Sequence, residues 1–208
     1  YREFDGEPAV VVERFDRVSV DGMVQRRHAE DLCQALGNQT TYEHQGGPTA
    51  RQILSLLGNH AGERARRRFV DALIATYLLG SPDGHARNYS VLLKGRRVVL
   101  APLYDVASSL PYDVDGDGIM NLRKVAISLG GERQFGMVGR DQWRRFFTTN
   151  GLDQDWGLER VRFFAEHLPD TLVDVFTTLG DVRGGQELAE RLVDAVAQSC
   201  RRMRSGLQ

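Results

Sequence analysis

The sequence SPDGHARNYS (residues 81–90), followed at once by VLLKGRRVVLAPLYDV (residues 91–106), contains the features that organise the rest of this chain. Two apolar runs, YSVLL and RVVLA, flank Lys94-Gly95-Arg96, a pattern that predicts a β-hairpin. Asp83 and Asn88 lie in the Gly/Pro-bounded loop before the hairpin, and Asp105 follows its second strand. Because a hairpin brings its two ends together, we expect these three polar side chains to converge on one edge.

Two carboxylates and an amide in this order suit phosphoryl transfer. One carboxylate accepts the proton of the attacking hydroxyl, while an amide oxygen and a second carboxylate hold divalent ions against the phosphates. Mg²⁺ favours such sparse oxygen ligation because it keeps waters and uses phosphate oxygens as ligands. The alternative is that Asp83 and Asn88 only form Asx turns around Gly84. The loop by itself favours that alternative, whereas the loop, hairpin and second aspartate together favour a metal-phosphate site.

The rest of the chain predicts a mainly α domain, α+β overall, around this small hairpin. The run AVVVERFDR (9–17) predicts a strand leaving a sheet, and HAEDLCQALG (28–37) predicts a helix. Beyond the hairpin the pattern predicts helices only. Apolar residues three and four apart predict helices in ARQILSLLG (50–58), RARRRFVDALIATYLLG (64–80), DQWRRFFTT (141–149), GLERVRFFAEHLPDTLVDVFTTLG (157–180) and QELAERLVDAVAQSCRRM (186–203).

Composition limits the classes of protein to consider. The 208 residues are 41% hydrophobic, enough to bury the core of one domain. Lys+Arg (27) and Asp+Glu (28) nearly cancel to a net charge of −1, so composition gives no support for a polyanionic partner. Cys33 and Cys200 are far apart and belong to no metal motif, which predicts reduced core thiols in a cytoplasmic protein. No apolar run has membrane-spanning length and no signal peptide opens the chain, so no membrane partner is expected. The start at Tyr1 suggests a fragment or a processed product.

Five motifs, ERFDR, HAEDLCQALG, TYEHQGGPT, DGHARN and LAPLYDV, resemble in this order the HipA family of serine/threonine kinases, the toxins of bacterial toxin–antitoxin pairs. The resemblance runs from about Val10 to about Leu110 and continues more loosely through the C-terminal helices. It implies a protein-kinase-like fold in which residues 1–208 form the C-terminal lobe. Residues 1–17 would be the hinge strand from the other lobe, and residues 18–208 the helical lobe with its catalytic loop at 81–90 and its YD motif at 104–105.

The resemblance also implies roles for individual residues. Asp83 would be the catalytic base, and Asn88 and Asp105 would hold Mg²⁺. In this family a phosphate-binding loop with a regulatory serine, and a lysine that grips the phosphates, precede the hinge, so the 208-residue chain alone is expected to transfer no phosphate. The implied nucleotide-binding residues are Glu13 and Phe15 at adenine through their backbones, Asp16 at the ribose, His85, Ala86, Arg87 and Asn88 beside the phosphates, and Tyr104 and Asp105 in the YD motif.

One of these positions departs from the family and another has two interpretations. Arg87 stands where the family usually has lysine, which keeps the charge but changes the donor geometry. His85 lies near a carboxylate, but no GxSxG elbow accompanies it, so a Ser-His-Asp hydrolase is not favoured. For His85, a hydrogen bond within the loop and a role at the phosphates remain open in equal measure.

Two further motifs invite other functions. DVDGDGIMN places Asp113, Asp115, Asp117 and Gly118 at the first ligand positions of an EF-hand loop, but Lys124 replaces the bidentate glutamate at position twelve. A solvated acidic loop after the YD motif is the better interpretation. The arginine clusters ERARRRF (63–69) and QWRRFF (142–147) fit solvated helix faces better than nucleic-acid contacts.

Three hypotheses follow. The first is a HipA-like kinase lobe that uses ATP and Mg²⁺; the second is a degenerate, non-catalytic lobe that binds an antitoxin; the third is a small Ca²⁺-binding protein. For the first, the resemblance implies a HipB-like helix-turn-helix antitoxin, operator DNA reached only through that complex, and a protein substrate. The family precedent for the substrate is a serine of an aminoacyl-tRNA synthetase, glutamyl-tRNA synthetase. The intact Asp83, Asn88 and Asp105 set favours the first hypothesis.

Overall fold

A buried helix, α3 (Glu63–Leu78), leads directly into the 81–90 loop. The computed structural model describes residues 2–112, 123–179 and 185–208. Phe69, Val70, Ile74 and Leu78 on α3 are completely buried in the main core. These four residues follow the 3.6-residue helical period, so their burial explains why this segment is helical.

The described residues contain nine strands and six α-helices. The strands are β1 (Arg2–Phe4), β2 (Glu7–Ala9), β3 (Arg17–Val20), β4 (Met23–Arg26), β5 (His28–Asp31), β6 (Ser90–Lys94), β7 (Arg97–Leu100), β8 (Lys124–Leu129) and β9 (Glu132–Gln134). The helices are α1 (Leu32–Ala35), α2 (Ala50–His60), α3 (Glu63–Leu78), α4 (Arg140–Thr149), α5 (Gln154–Leu179) and α6 (Gly185–Gly206), with 3₁₀ turns at Glu43–Gln45 and Ala86–Asn88.

Small antiparallel sheets accompany the helices. β1 pairs with β2, β3 with β4 and β8 with β9, while β5, β6 and β7 form a three-stranded sheet in that order. In this sheet the β6–β7 pair is the hairpin predicted from the sequence, with Lys94 opposite Arg97. The predictions of helices at α2, α3, α4, α5 and α6 are also confirmed.

The prediction of one strand over residues 9–17 is wrong in extent. β2 ends at Ala9, β3 begins at Arg17, and the structure assigns no strand to residues 10–16. The side chains of Val10 and Val12 are 86% and 69% exposed. Among the described residues no strand pairs with Val10, Val11 or Val12, so these β-branched residues belong to no ladder.

The helix predicted over residues 28–37 is half wrong. His28–Asp31 is strand β5, paired with Ser90–Leu93 of β6, and only Leu32–Ala35 is helical. Asp31 sets the boundary: its carboxylate accepts from the Gln34 backbone N–H at 2.8 Å, and the Gln34 side chain accepts from the Asp31 N–H at 3.0 Å. This reciprocal capping box fixes a helix start, and it lies three residues inside the predicted helix.

The chain beyond the β6–β7 hairpin is not helical throughout, because β8 and β9 form a second hairpin. Val125, Ile127 and Leu129 of β8 are buried in the main core. Trp143 and Phe147 of α4 stack at 5.7 Å in the same core. Val125, Ile127 and Leu129 alternate along KVAISL as in a strand, although Ala126 is buried as well, so the sequence carried only part of this signal.

The structure describes both cysteines and the long helices, but not the acidic loop. Cys33 and Cys200 are free, buried thiols as predicted, and burial raises the pKa of Cys200 to about 11. Within the described ranges, no helix combines the length and apolar character needed to cross a membrane. The EF-hand-like motif at Asp113–Asn121 lies outside the described residues.

Candidate functional site

The loop after α3 packs closely against Leu110 and against α3 at two glycines. Gly80 has a φ of +62°, and a Cβ there would lie 2.3 Å from Cγ of Leu110. A Cβ on Gly84 would lie 2.6 Å from Cγ2 of Thr76. The Ser81 N–H donates to the Thr76 carbonyl at 2.9 Å and the Gly80 N–H to the Tyr77 carbonyl at 3.0 Å, a Schellman motif that ends the helix. Side chains larger than hydrogen at Gly80 and Gly84 would therefore displace the loop that carries Asp83.

Asp83 is held by neighbours from two parts of the chain. Its Oδ1 accepts a 2.6 Å hydrogen bond from the Tyr42 hydroxyl and lies 3.4 Å from Nε2 of His85. The Tyr42 and His85 rings meet edge to face, with centroids 4.9 Å apart. Burial, and then the hydrogen bond to Asp83 and its charge, raise the pKa of Tyr42 to about 12. Tyr42 is therefore protonated at neutral pH and acts as a donor to the carboxylate.

His85 contacts the loop through one ring nitrogen only. Nε2 faces Asp83, whereas Nδ1 is buried and has no hydrogen-bond partner among the described residues. The Nε2 contact corresponds to the loop-bonding interpretation of His85, and the buried Nδ1 leaves the phosphate interpretation open.

Asn88 is tied to the backbone of Asp83. Its Nδ2 donates to the Asp83 carbonyl at 2.7 Å, and the residue is 8% exposed. Because this bond uses the amide nitrogen, Oδ1 is the end of the amide left to accept or to ligate. Ala86, in the 3₁₀ turn between Asp83 and Asn88, is fully buried, so a ligand there would meet backbone atoms rather than its side chain.

Tyr104 joins the YD motif to the 81–90 loop. Its hydroxyl donates to the Arg87 carbonyl at 2.5 Å and lies 2.7 Å from Oγ of Ser90. Asp105, the next residue, is exposed and has a φ of +56°. A left-handed conformation is uncommon for a residue other than glycine and is found disproportionately at functional sites. The guanidinium of Arg87 itself donates to the Gln39 carbonyl at 3.0 Å.

Among the predicted hinge residues, Phe15 contacts the site, through Tyr104 of the YD motif. The Phe15 and Tyr104 rings lie 5.5 Å apart. Glu13 is exposed. Asp16, by contrast, is 5% exposed, and its carboxylate accepts from Arg14 at 2.8 and 2.7 Å and from Arg17 at 2.5 Å. These hydrogen bonds, led by the one from Arg14, lower the pKa of Asp16 to about 2. A ribose would have to compete with two arginines for this carboxylate.

The predicted residues thus form two connected groups. Asp83, His85 and Asn88 lie in one loop, and Phe15 and Tyr104 contact each other, with Tyr104 bonded to the same loop. In the part of the chain that the structure describes, no three His, Cys, Asp or Glu side chains form a metal-binding cluster. The predicted ligand pair of one asparagine and one aspartate is a sparser set than such a cluster. That the side-chain oxygens of Asn88 and Asp105 converge on one metal ion stays a prediction.

Sequence reasoning did not single out Tyr42. It lies 41 residues before Asp83, inside the TYEHQGGPT motif, and neither periodicity nor spacing signals a contact between them. Glu43, its neighbour, anchors the motif to β8, because its carboxylate accepts from the backbone and hydroxyl of Ser128 at 2.6 and 2.7 Å.

Comparison with known proteins assigns the family. A family model described as HipA-like C-terminal domain matches residues 1–175. The chain belongs to this family. The resemblance drawn from the five sequence motifs is therefore confirmed.

Curated relatives of this HipA-like domain carry kinase names. A Sinorhizobium fredii protein named putative kinase Y4mE is 30% identical over 202 residues, which cover 94% of this chain and 46% of that protein. The Shewanella oneidensis serine/threonine-protein kinase toxin HipA is 26% identical over 188 residues, or 82% of this chain and 42% of that protein. The chain spans somewhat less than half the length of these relatives.

A solved structure has the same fold. The chain matches a Shewanella oneidensis structure described as a toxin–antitoxin system of HipA, HipB and its operator DNA. The TM-score is 0.82 at 22% identity, with 93% of this HipA-like domain and 48% of that chain covered. The match confirms the predicted kinase-like fold class.

Proposed function

We propose that this HipA-like domain is the catalytic lobe of a serine/threonine protein kinase that transfers the γ-phosphate of ATP to a serine of a protein. The observation that carries the proposal is the organisation of the 81–90 loop. Asp83 has a side chain that is 31% exposed, Asn88 is bonded to the Asp83 backbone, and Tyr104 ties the YD motif to the Arg87 carbonyl. Catalysis of phosphoryl transfer is mainly positioning and charge stabilisation, which such a fixed loop can supply.

In this proposal Asp83 is the general base. The serine O–H bond breaks toward the Asp83 carboxylate as the serine oxygen bonds to the γ-phosphorus, and the bond from that phosphorus to ADP breaks. Ionised Asp83 accepts hydrogen bonds and a proton, which is the capacity this step needs. The described contacts of the Asp83 carboxylate engage one of its oxygens, Oδ1.

Asn88 and Asp105 would hold Mg²⁺. Their free amide and carboxylate oxygens are the ligands that this ion prefers, and the Asn88 Nδ2 bond already orients its amide. When bound, Mg²⁺ neutralises charge on the phosphates. Asp105 is exposed and has a left-handed backbone. Both features fit a carboxylate that binds Mg²⁺ when the ion arrives with the nucleotide.

The remaining nucleotide contacts follow the family roles. The backbones of Glu13 and Phe15 would pair with adenine, and Asp16 would reach the ribose only after releasing Arg14 or Arg17. The contact between Phe15 and Tyr104 supports this arrangement, since it brings the hinge segment against the residue that precedes Asp105. Arg87 and His85 would lie beside the phosphates, with Ala86 contributing backbone only.

The family also suggests a biological setting. We propose that the intact protein is the toxin of a toxin–antitoxin pair in the cytoplasm, with residues 1–17 as the hinge segment and residues 18–208 as the helical lobe. A HipB-like helix-turn-helix antitoxin would be its partner, with operator DNA contacted through that complex. The solved relative is a complex of HipA, HipB and operator DNA, which supports this setting. A protein serine, in an aminoacyl-tRNA synthetase by family precedent, would be the substrate.

Asp105→Ala in the intact protein tests the metal role. We expect it to weaken nucleotide binding in the presence of Mg²⁺ and to change Mg²⁺-free binding little, because Asp105 would touch ATP mainly through the ion. Loss of an outer-shell partner already weakens metal sites roughly 10- to 100-fold, so loss of a ligand should weaken Mg²⁺-ATP binding by at least about tenfold. Calorimetric titrations with and without Mg²⁺ measure both affinities.

Asp21→Ala is the matched control. Asp21 shares the left-handed backbone of Asp105, with φ of +50° and +56°, but lies in the β3–β4 turn. Both alanine variants therefore have the same backbone strain, and only Asp105→Ala removes the proposed ligand. Equal losses in the two Asp105→Ala titrations would show that Asp105 has a structural role only. A wild-type protein that binds Mg²⁺-ATP but labels no protein would favour the non-catalytic, antitoxin-binding alternative.

A further inference from the structure

Among the described residues, Tyr42 is the only one whose hydroxyl group contacts the carboxylate of Asp83, the candidate base. Its hydroxyl donates to Oδ1 of Asp83 at 2.6 Å, and Nε2 of His85 lies 3.4 Å from the same oxygen. Among the described residues, Oδ2 of Asp83 has no hydrogen-bond partner. One oxygen of the carboxylate is therefore occupied by the protein, and the other is left for a substrate.

We infer that Tyr42 is a positioning residue for Asp83, an inference that rests on the proposed kinase function. By holding Oδ1, Tyr42 fixes the rotation of the carboxylate so that Oδ2 faces the proton of the attacking serine hydroxyl.

The segment that carries Tyr42 is rigid enough for this role. The Tyr42 carbonyl accepts from the N–H groups of Gln45 and Gly47 at 3.0 and 2.9 Å. A Cβ on Gly47 would lie 2.7 Å from that carbonyl oxygen, so the turn closes tightly only with glycine there. Glu43 fastens the same turn to Ser128 of β8. Catalytic groups need such support, because small displacements of the reacting atoms lower the reaction rate by large factors.

The protonation state of Tyr42 suits a permanent donor. Its pKa, raised to about 12, keeps the hydroxyl protonated throughout the pH range in which proteins are assayed. The edge-to-face contact with His85, at 4.9 Å, restricts the ring and directs the hydroxyl at the carboxylate. Geometry and protonation thus agree on one function for this side chain.

Tyr42→Phe in the intact protein tests the inference. We expect kcat for phosphate transfer to fall on the order of tenfold or more, since a hydrogen bond to a charged group is lost, while KM for ATP stays unchanged. A role in folding alone would leave kcat unchanged, provided that kcat is expressed per nucleotide-binding site.

Tyr77→Phe is the control. It too removes a tyrosine hydroxyl, one that accepts from Gly136 and Val138 rather than contacting the loop, so kcat per site should stay at the wild-type value. An unchanged kcat in Tyr42→Phe, or a loss matched by Tyr77→Phe, would overturn the inference while leaving the kinase function standing. If the unsubstituted protein transfers no phosphate although it binds Mg²⁺-ATP, the proposed function fails, and this inference fails with it.

Discussion

Asp83→Asn in the intact protein is expected to abolish transfer of phosphate from Mg²⁺-ATP to a protein serine and to leave nucleotide binding largely unchanged. The substitution removes the proposed base but keeps the size of the side chain. Asparagine also keeps an oxygen that can accept the Tyr42 hydroxyl, so the loop should hold its shape. A positioned acid–base group contributes about 10²- to 10⁴-fold, and we expect a loss of at least about a hundredfold.

Radiolabel transfer and nucleotide titration together measure this result. Asp170→Asn serves as the control, because Asp170 is an exposed residue of α5 and the same change in charge there should alter neither quantity. Comparable label transfer by Asp83→Asn and the wild type would remove Asp83 from the role of base. Loss of nucleotide binding together with transfer would show instead that Asp83 supports the shape of the site.

Gly130→Ala is expected to be the most destabilising of the glycine-to-alanine substitutions in the described part of the chain. Gly130 has a φ of +61° in the β8–β9 turn, and a Cβ there would lie 2.0 Å from the Gln142 carbonyl oxygen. That oxygen belongs to the backbone of α4, so it cannot yield by rotating a side chain. Overpacking of this kind costs about 1–3 kcal/mol or more in addition to the strain of a left-handed alanine.

Gly151→Ala isolates the effect of the clash. Gly151 has nearly the same φ, +63°, but no atom lies within 4 Å of its added Cβ. Both variants have the backbone strain, so the difference in their free energies of unfolding, about 3 kcal/mol, reports the contact with α4. For a chain of this length that corresponds to a difference of roughly 6–12 °C in Tm. Equal unfolding free energies, measured by urea titration, would mean that the β8–β9 turn does not pack on α4 as described.

These predictions depend on the sequence and on the tertiary structure to different degrees. Asp83 and Asn88 were identifiable as candidates because they share a ten-residue loop bounded by clear helix and strand patterns. The hairpin that follows is equally local: apolar runs on both sides of Lys94-Gly95-Arg96 specify it within a dozen residues. Tyr42 was not identifiable, because a contact between residues 41 positions apart depends on how the intervening elements pack.

The failed predictions have the same origin. Residues 28–31 contain no strong strand signal of their own and become a strand because β6 lies beside them. Residues 10–16 contain a β-branched run, yet no described strand pairs with them. For both segments the deciding factor is a strand partner, present or missing, that the local pattern does not specify. Asp16 differs from them, because the arginines that lower its pKa to about 2, Arg14 and Arg17, are its neighbours in sequence. Its role at the ribose stays a prediction.

By itself, then, the sequence determined the long helices, the β6–β7 hairpin and the loop that carries the candidate base, together with the family, whose motifs are contiguous stretches. These features arise from interactions between residues a few positions apart, and hydrophobic periodicity and turn chemistry record such interactions directly. The tertiary structure alone decided which hydroxyl holds Asp83, how Tyr104 joins the YD motif to Phe15 and to the loop, and which of the shorter segments became strands. Those outcomes require distant segments to meet, and side-chain packing and hydrogen-bond geometry select the partners only once the chain has closed around its core.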